Sequence, residues 1–421
     1  MKKRSKELIL LAMTQPISFE NTEIAFAHKT NSELKKAHWL FRLMANPWLV
    51  KLSTVLAPWS IRAGLPVKGM IRETIFRQFV GGETLDQTGV IAKKLSSSRV
   101  QVILDYGVEG KEGEAAFDAA QKAFLGVIEY AASQPNIPYI SIKVTGLARF
   151  TLLERIDALM HLHHAGSLVE SYHAALAQLS QSEKEEWARV VARAENLCAA
   201  AASKKVGLLV DAEETWIQDG VDALTMLMMD GFNKEAAVVY NTMQLYRHDR
   251  IQFLQQSLQA AGERKFILGV KLVRGAYMEK ERKRAEALNY ASPIQPGKAA
   301  SDKDYNEAVR HCINHLTNTA VIVATHNEDS NMLAVTLMKE LNFPLAHPHL
   351  HFSQLYGMSD NITYNLARAG CNVSKYLPFG PIEDVVPYLM RRAQENTSVG
   401  GQTSRELGLI KKELDRRRLA V

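Results

Sequence analysis

Arg391 and Arg392 stand side by side in a run whose spacing gives them company. Counted from Tyr388, the positions of Arg391, Arg392 and Glu395 are i+3, i+4 and i+7, which is one face of a helix. Paired guanidinium groups offer forked donors that match a carboxylate. The spacing alone leaves a second reading open, a solvated basic turn tied to Glu395. Upstream, polar residues close a series of short apolar runs. These closures are Lys143-Val144-Thr145-Gly146, Asp211-Ala212-Glu213-Glu214, Asn241-Thr242-Met243-Gln244, Arg274-Gly275-Ala276-Tyr277 after Lys271, Thr325-His326-Asn327, and Tyr376 before Pro378-Phe379-Gly380-Pro381. Charged residues commonly flank strands, so one such closure says little. Six that point to one mouth describe a shared chemical face.

The elements that would hold them have β-rich texture. From about Val100, apolar runs alternate with longer helical patterns. The runs are 100–104, 139–143, 207–211, 237–240, 267–273, 320–324, 350–352 and 372–376. Continuous apolar strands in this alternation imply a parallel sheet covered by helices. Eight of them over this length predict a (β/α)8 barrel of the TIM type, with chemistry at the C-terminal ends of its strands. An open doubly wound sheet is the alternative pattern. Before the barrel, Asn31-Ser32-Glu33-Leu34 opens a helical run through Leu40, Phe41, Leu43 and Met44, and Pro47, Pro58 and Pro66 divide further helical stretches. The expected organisation is a helical region over 1–98, a barrel over 99–400, and a basic C-terminal helix or tail over 401–421.

Composition removes several classes. At 47% hydrophobic and 23% charged residues, the chain is globular rather than disordered. The net charge of +6 is too modest to imply a nucleic-acid partner. It gathers at Met1-Lys2-Lys3-Arg4-Ser5-Lys6 and in Lys411–Arg418, which suits solvated ends or contact with an acidic membrane surface. Cys198, Cys312 and Cys371 lie far apart without a CxxC pair, so neither a disulfide framework nor a thiolate zinc site is expected. His161-Leu162-His163-His164 has no evident acidic partner, and His347-Pro348-His349-Leu350-His351 alternates around a proline. No metal site is predicted from either. No apolar run reaches the roughly 20 residues of a membrane span. The expected setting is the cytoplasm, with peripheral contact at an inner membrane compatible with the basic ends. No GxG pair occurs, and Met70 stands where a P-loop needs lysine after Gly69, so any nucleotide must be held without a glycine fingerprint.

Four ordered strings go further. They are Lys271-Leu272-Val273-Arg274-Gly275-Ala276-Tyr277, Ala324-Thr325-His326-Asn327, Gln354-Leu355-Tyr356-Gly357-Met358, and Tyr376-Leu377-Pro378-Phe379-Gly380-Pro381 running on to Tyr388–Asn396. Together they resemble the proline dehydrogenase family, in particular its stand-alone, eukaryote-like branch, from about Val100 onward. The resemblance implies a distorted (β/α)8 barrel with additional N-terminal helices. It implies noncovalent FAD, oxidation of L-proline to Δ1-pyrroline-5-carboxylate, and a membrane quinone as electron acceptor. Carried over by motif, Arg391, Arg392 and Lys143 would clamp the substrate carboxylate. Tyr376, Tyr388, Leu355 and Tyr277 would wall the ring, and Asp211 would order this site. Lys271, Gln244, Arg274, Gly275, Thr325, His326 and Glu395 would hold the cofactor. Two enzymatic alternatives follow. One is a hydroxyproline dehydrogenase of the same family, which Tyr376 disfavours by its bulk. The other is a barrel flavoprotein using NAD(P)H, which would lack the paired-arginine helix.

Overall fold

A computed structural model describes residues 17–46, 48, 68–107, 112–163, 166–398 and 402–418. Eight strands, β1 (Gln101–Tyr106), β2 (Tyr139–Ile142), β3 (Gly207–Val210), β4 (Val239–Gln244), β5 (Leu268–Val273), β6 (Thr319–Ala324), β7 (Leu350–Leu355) and β8 (Val373–Phe379), close in sequence order into one barrel. Every neighbouring pair is parallel, and β8 returns to β1 through Ile103 opposite Tyr376. Helices lie between the strands, and three of them fill the long link from β2 to β3.

Alternation along each strand sorts the side chains. Residues such as Val102, Leu104, Ile140, Leu208 and Leu272 face outward and join the helices in the main apolar core. Ile103, Leu209, Tyr240, Ala320 and Ile322 face inward and fill the barrel floor, with Tyr139 and Tyr376 against them. The barrel is tight there. A Cβ at Gly269 would stand 2.2 Å from the Val239 carbonyl oxygen, against the Tyr240 ring. Only glycine lets β5 pass that point.

Four strands outrun the sequence reading. β1 continues from Leu104 to Tyr106, β4 from Tyr240 to Gln244, β7 from Phe352 to Leu355, and β8 from Tyr376 to Phe379. The inward residues of these extensions include Thr242, Gln244 and Ser353, so the apolar signal stops while the strand does not. The mouth is therefore polar because the strands project into it.

The helix Asn31–Met44 starts as expected, with Thr30 closing a capping box with Glu33. It buries Leu34, Ala37, Phe41 and Met44 in a second apolar cluster. That cluster also takes Val385 and Leu389 from helix Ile382–Ser398, and Leu409, Ile410 and Leu414 from helix Gln402–Arg416. The segments before and after the barrel thus pack on each other across the helix that carries the paired arginines. Gly357, just beyond β7, permits this approach. Its φ is +81°, and a Cβ there would meet the Gln78 carbonyl oxygen at 2.1 Å.

Candidate active site

Inward-facing residues above the barrel floor form a chain of polar contacts. On β1 and β2, the Ser141 hydroxyl donates to Asp105 at 3.0 Å. The same hydroxyl lies 2.8 Å from the Tyr376 hydroxyl on β8. Tyr376 donates to Asp211 Oδ2 at 2.5 Å, and Lys271 forms an ion pair with Asp211 Oδ1. The Lys271 ammonium also lies 5.2 Å from the Tyr376 ring centre. Burial and the two carboxylates raise the Tyr376 hydroxyl well above the ordinary phenol range, so it acts here as a donor. Asp211 and Lys271, which the sequence reading gave to different groups, are partners. Asp105 and Ser141 went unremarked. Asp105 sits inside an apolar strand, where alternation alone could have exposed it.

A second group gathers at the ends of β2, β3 and β5. The Glu213 carboxylate accepts from the Thr145 backbone at 3.2 Å and the Thr145 hydroxyl at 2.5 Å. Its own N–H donates to Gln218, and its carbonyl accepts from Gln244 Nε2 at 2.7 Å. Burial pushes this carboxyl up to about 7, against the pull of the Thr145 hydrogen bond and the Lys143 charge. Lys143 is itself buried. Burial likewise raises the Tyr277 hydroxyl, and the charges of Arg391 and Lys143 oppose the rise. Tyr277 thus lies within electrostatic reach of both Arg391 and Lys143. The sequence places Glu213 in the polar closure after β3 but gives it no role of its own.

The third group lies at β5 and β6. Arg274 donates to the hydroxyls of Thr325 at 3.1 Å and Ser330 at 2.7 Å, pairs with Asp302, and stacks 3.9 Å above the Tyr305 ring. Its Nε and the Gln244 Oε1 are buried without a hydrogen-bond partner among the described residues. Gly275 follows at φ +77°, a conformation costly for other residues. His326 contacts the Ser359 hydroxyl through Nδ1 at 2.8 Å. Burial, aided by Lys375, Arg392 and Arg274, lowers this imidazole to about 3, so it is neutral. Arg392 is buried and its guanidinium lies 5.1 Å over the Tyr388 ring. Leu355 stands opposite Tyr376 in the β7–β8 register. The side chain of Glu395 lies outside the described residues.

Behind His326 runs a buried charge cluster. Ser359 N–H donates to Glu406 on helix Gln402–Arg416 at 2.5 Å. Lys375 pairs with Asp360 at 2.9 Å, and Asp360 also meets Lys29 at 3.2 Å and His28 at 3.6 Å. Burial pushes the Glu406 carboxyl up to about 7.

One sequence expectation is corrected by the fold. His161 does have acidic partners, Asp157 at 3.4 Å one turn back on its helix and Asp219 at 3.6 Å on the helix Thr215–Phe232 that follows β3. Their ligand-type atoms lie within 4.8 Å of one another, but Arg247 and Arg250 also face Asp219 at 3.7 and 3.6 Å. The three cysteines are buried and free. No described helix is long and apolar enough to cross a membrane.

A closed parallel barrel with a buried, cation-rich polar mouth, two orphaned polar atoms and an arginine helix beside it defines a ligand-binding (β/α)8 enzyme. Comparison with known proteins narrows that class. Residues 90–405 match the family model described as proline dehydrogenase, and the chain belongs to this family of oxidoreductases. It is 31% identical over 381 residues to mitochondrial proline dehydrogenase 1 of Dictyostelium discoideum, covering 84% of this chain and 66% of that one. It is 32% identical over 415 residues to hydroxyproline dehydrogenase of Xenopus laevis, covering 93% of this chain and 88% of the other. Among solved structures, proline utilization A of Bdellovibrio bacteriovorus, inactivated by N-propargylglycine, shares the fold with a TM-score of 0.67 at 19% identity. That match spans 93% of this chain and 40% of the longer protein.

Proposed function

We propose that this protein oxidises the ring of free L-proline with a noncovalently bound FAD, giving Δ1-pyrroline-5-carboxylate. What supports the reading is membership of the proline dehydrogenase family, together with a Tyr277 that lies within electrostatic reach of both Arg391 and Lys143. Forked and point-charge donors there suit a carboxylate and hold the ring in one orientation. Tyr376, Tyr388, Leu355 and Tyr277 supply apolar walls. Asp211, held between Lys271 and Tyr376, keeps that wall rigid.

The residues at β4 to β6 fit a flavin nucleotide. Gln244 Oε1 and Arg274 Nε are polar atoms without hydrogen-bond partners among the described residues, which a bound group would satisfy. Arg274, Thr325 and neutral His326 would serve the phosphate and ribityl portions, Gly275 would allow close backbone approach, and Lys271, Gln244 and Glu395 would serve the rest. When bound, FAD supplies the acceptor for the hydride that leaves the proline ring. The barrel over 99–400 is proposed as the unit that binds it, and a membrane quinone as the final acceptor. No context for covalent flavin attachment stands out. Acid precipitation should release yellow colour to the supernatant, and colour kept in the pellet would count against the reading.

A hydroxyproline substrate is the second reading, favoured by the Xenopus relative. Against it, the Tyr376 hydroxyl is already engaged by Asp211 and Ser141, which fixes its bulk in the site. Anaerobic titration separates the readings. L-proline should bleach the flavin with a higher kcat/KM than hydroxyproline, and bleaching by NADH alone would reject both.

A further inference from the structure

Glu213 touches both halves of the site. Beyond β2 the chain makes a single 3-10 turn, Val144–Gly146, and Lys143 is the residue that enters it. The first N–H groups of such a turn have no partner within it. Glu213 supplies one from the end of β3. Its carboxylate takes the Thr145 N–H at 3.2 Å and the Thr145 hydroxyl at 2.5 Å. On its other side, the Glu213 carbonyl accepts Gln244 Nε2 at 2.7 Å, and the same amide nitrogen donates to the Tyr246 hydroxyl at 2.8 Å. With both N–H groups engaged, the Gln244 amide is fixed, and its Oε1 has no hydrogen-bond partner among the described residues. Glu213 itself has little freedom. Its N–H donates to Gln218 at 2.8 Å, Gln218 donates to Asp222 at 2.8 Å, and Asp222 pairs with Arg250 at 2.6 Å, all of them buried.

We propose that Glu213 is a positioning residue for the reaction: it locks the turn that carries Lys143 and sets that turn against the Gln244 amide, so that substrate clamp and cofactor wall keep one fixed separation. This rests on the proline reading above. A lysine side chain has four rotatable bonds, and it meets a carboxylate reproducibly only from a fixed backbone. Two hydrogen bonds to a charged acceptor are a strong anchor for one short turn. The sign of the effect separates this role from a plain charge effect. Glu213 lies close enough to Lys143 for the two charges to act on each other. By Coulomb's law alone, removal of that anion would tighten the binding of a carboxylate. Loss of a positioning residue does the reverse.

The test uses the FAD-loaded, full-length enzyme at about pH 8, where Glu213 is ionised because burial raises it only to about 7. The probe is cyclopentanecarboxylate, a ring acid with the carboxylate of proline and no amine. Its binding is read from the shift it causes in the flavin spectrum. Glu213→Leu removes both acceptors from the turn. It should raise the probe Kd and the KM for proline about tenfold, with kcat changed far less, as loss of a charge-assisted anchor used in binding implies. Thr145→Val removes one of the two bonds without touching a charge, and it should move both constants the same way. Thr145→Ser keeps the hydroxyl and should stay near wild type. The Thr145 pair keeps the test decisive even if Glu213→Leu does not fold. Probe binding that is unchanged or tighter in Glu213→Leu would overturn the proposal. So would equal weakening by Thr145→Val and Thr145→Ser. A wild-type flavin that binds the probe but is not bleached by proline would reject the enzymatic reading alone.

Discussion

Asp211→Asn is the most searching change to the site. Asp211 accepts the Tyr376 hydroxyl and pairs with Lys271, and the side chains of the ion pair are only 13% and 6% exposed. Asparagine keeps an acceptor for Tyr376 and leaves Lys271 without its counter-charge. Removing one partner of a buried pair costs about 3–5 kcal/mol, because the remaining charge is stranded rather than because the pair is strong. Lys271→Met alone strands Asp211 in the same way. The double variant strands neither, so it should be less damaged than the two single effects added together, by at least about 2 kcal/mol. Urea unfolding of the FAD-loaded proteins gives that coupling. Steady-state kinetics should show the same sign, with kcat/KM for proline reduced by roughly tenfold to a hundredfold in Asp211→Asn. Single effects that add within about 0.5 kcal/mol would refute the argument, since independent sites behave that way.

Other changes address the remaining groups. Tyr376→Ser should raise the hydroxyproline-to-proline ratio of kcat/KM, while weakening proline binding by about 1–3 kcal/mol through lost ring contact; an unmoved ratio would remove Tyr376 from the specificity wall. Arg391→Met and Arg392→Met should each lower kcat/KM about tenfold to a hundredfold with flavin content kept, and unchanged binding of proline-like acids would reject the clamp. Glu213→Gln tests linkage. The buried carboxyl titrates near 7 when folded against an ordinary value of 4.5, so the folded state holds its proton longer and wild-type stability falls as pH rises between those values. The variant should gain stability relative to wild type across that window, by at most roughly 3 kcal/mol above it, and melting temperatures from pH 5 to 8 measure the difference.

The eight strands were readable because a parallel barrel buries both faces of each, leaving runs such as Ile267–Val273 nearly unbroken. Their C-terminal ends were not, because Thr242, Gln244 and Ser353 belong to strands while serving a polar mouth. The arginine helix announced itself through the spacing from Tyr388. What spacing cannot supply is the partner across the barrel. Asp211 is 60 positions from Lys271 and 165 from Tyr376; pairing of β3 and β5 on either side of β4 joins the first two, and closure of β8 onto β1 brings Tyr376 to them. Glu406 and Ser359 were invisible for the same reason, being joined only when the last helix packs.

That last contact has a consequence for assembly. His326 leans on Ser359, Ser359 is held by Glu406, and the Lys375–Asp360 pair beside them reaches Lys29 ahead of the barrel. A chain emerging from the ribosome can close its eight strands before residue 406 is free to fold. Until then the wall behind His326 is unfinished. Completion of the wall behind His326 therefore depends on the final helix as well as on the eight strands.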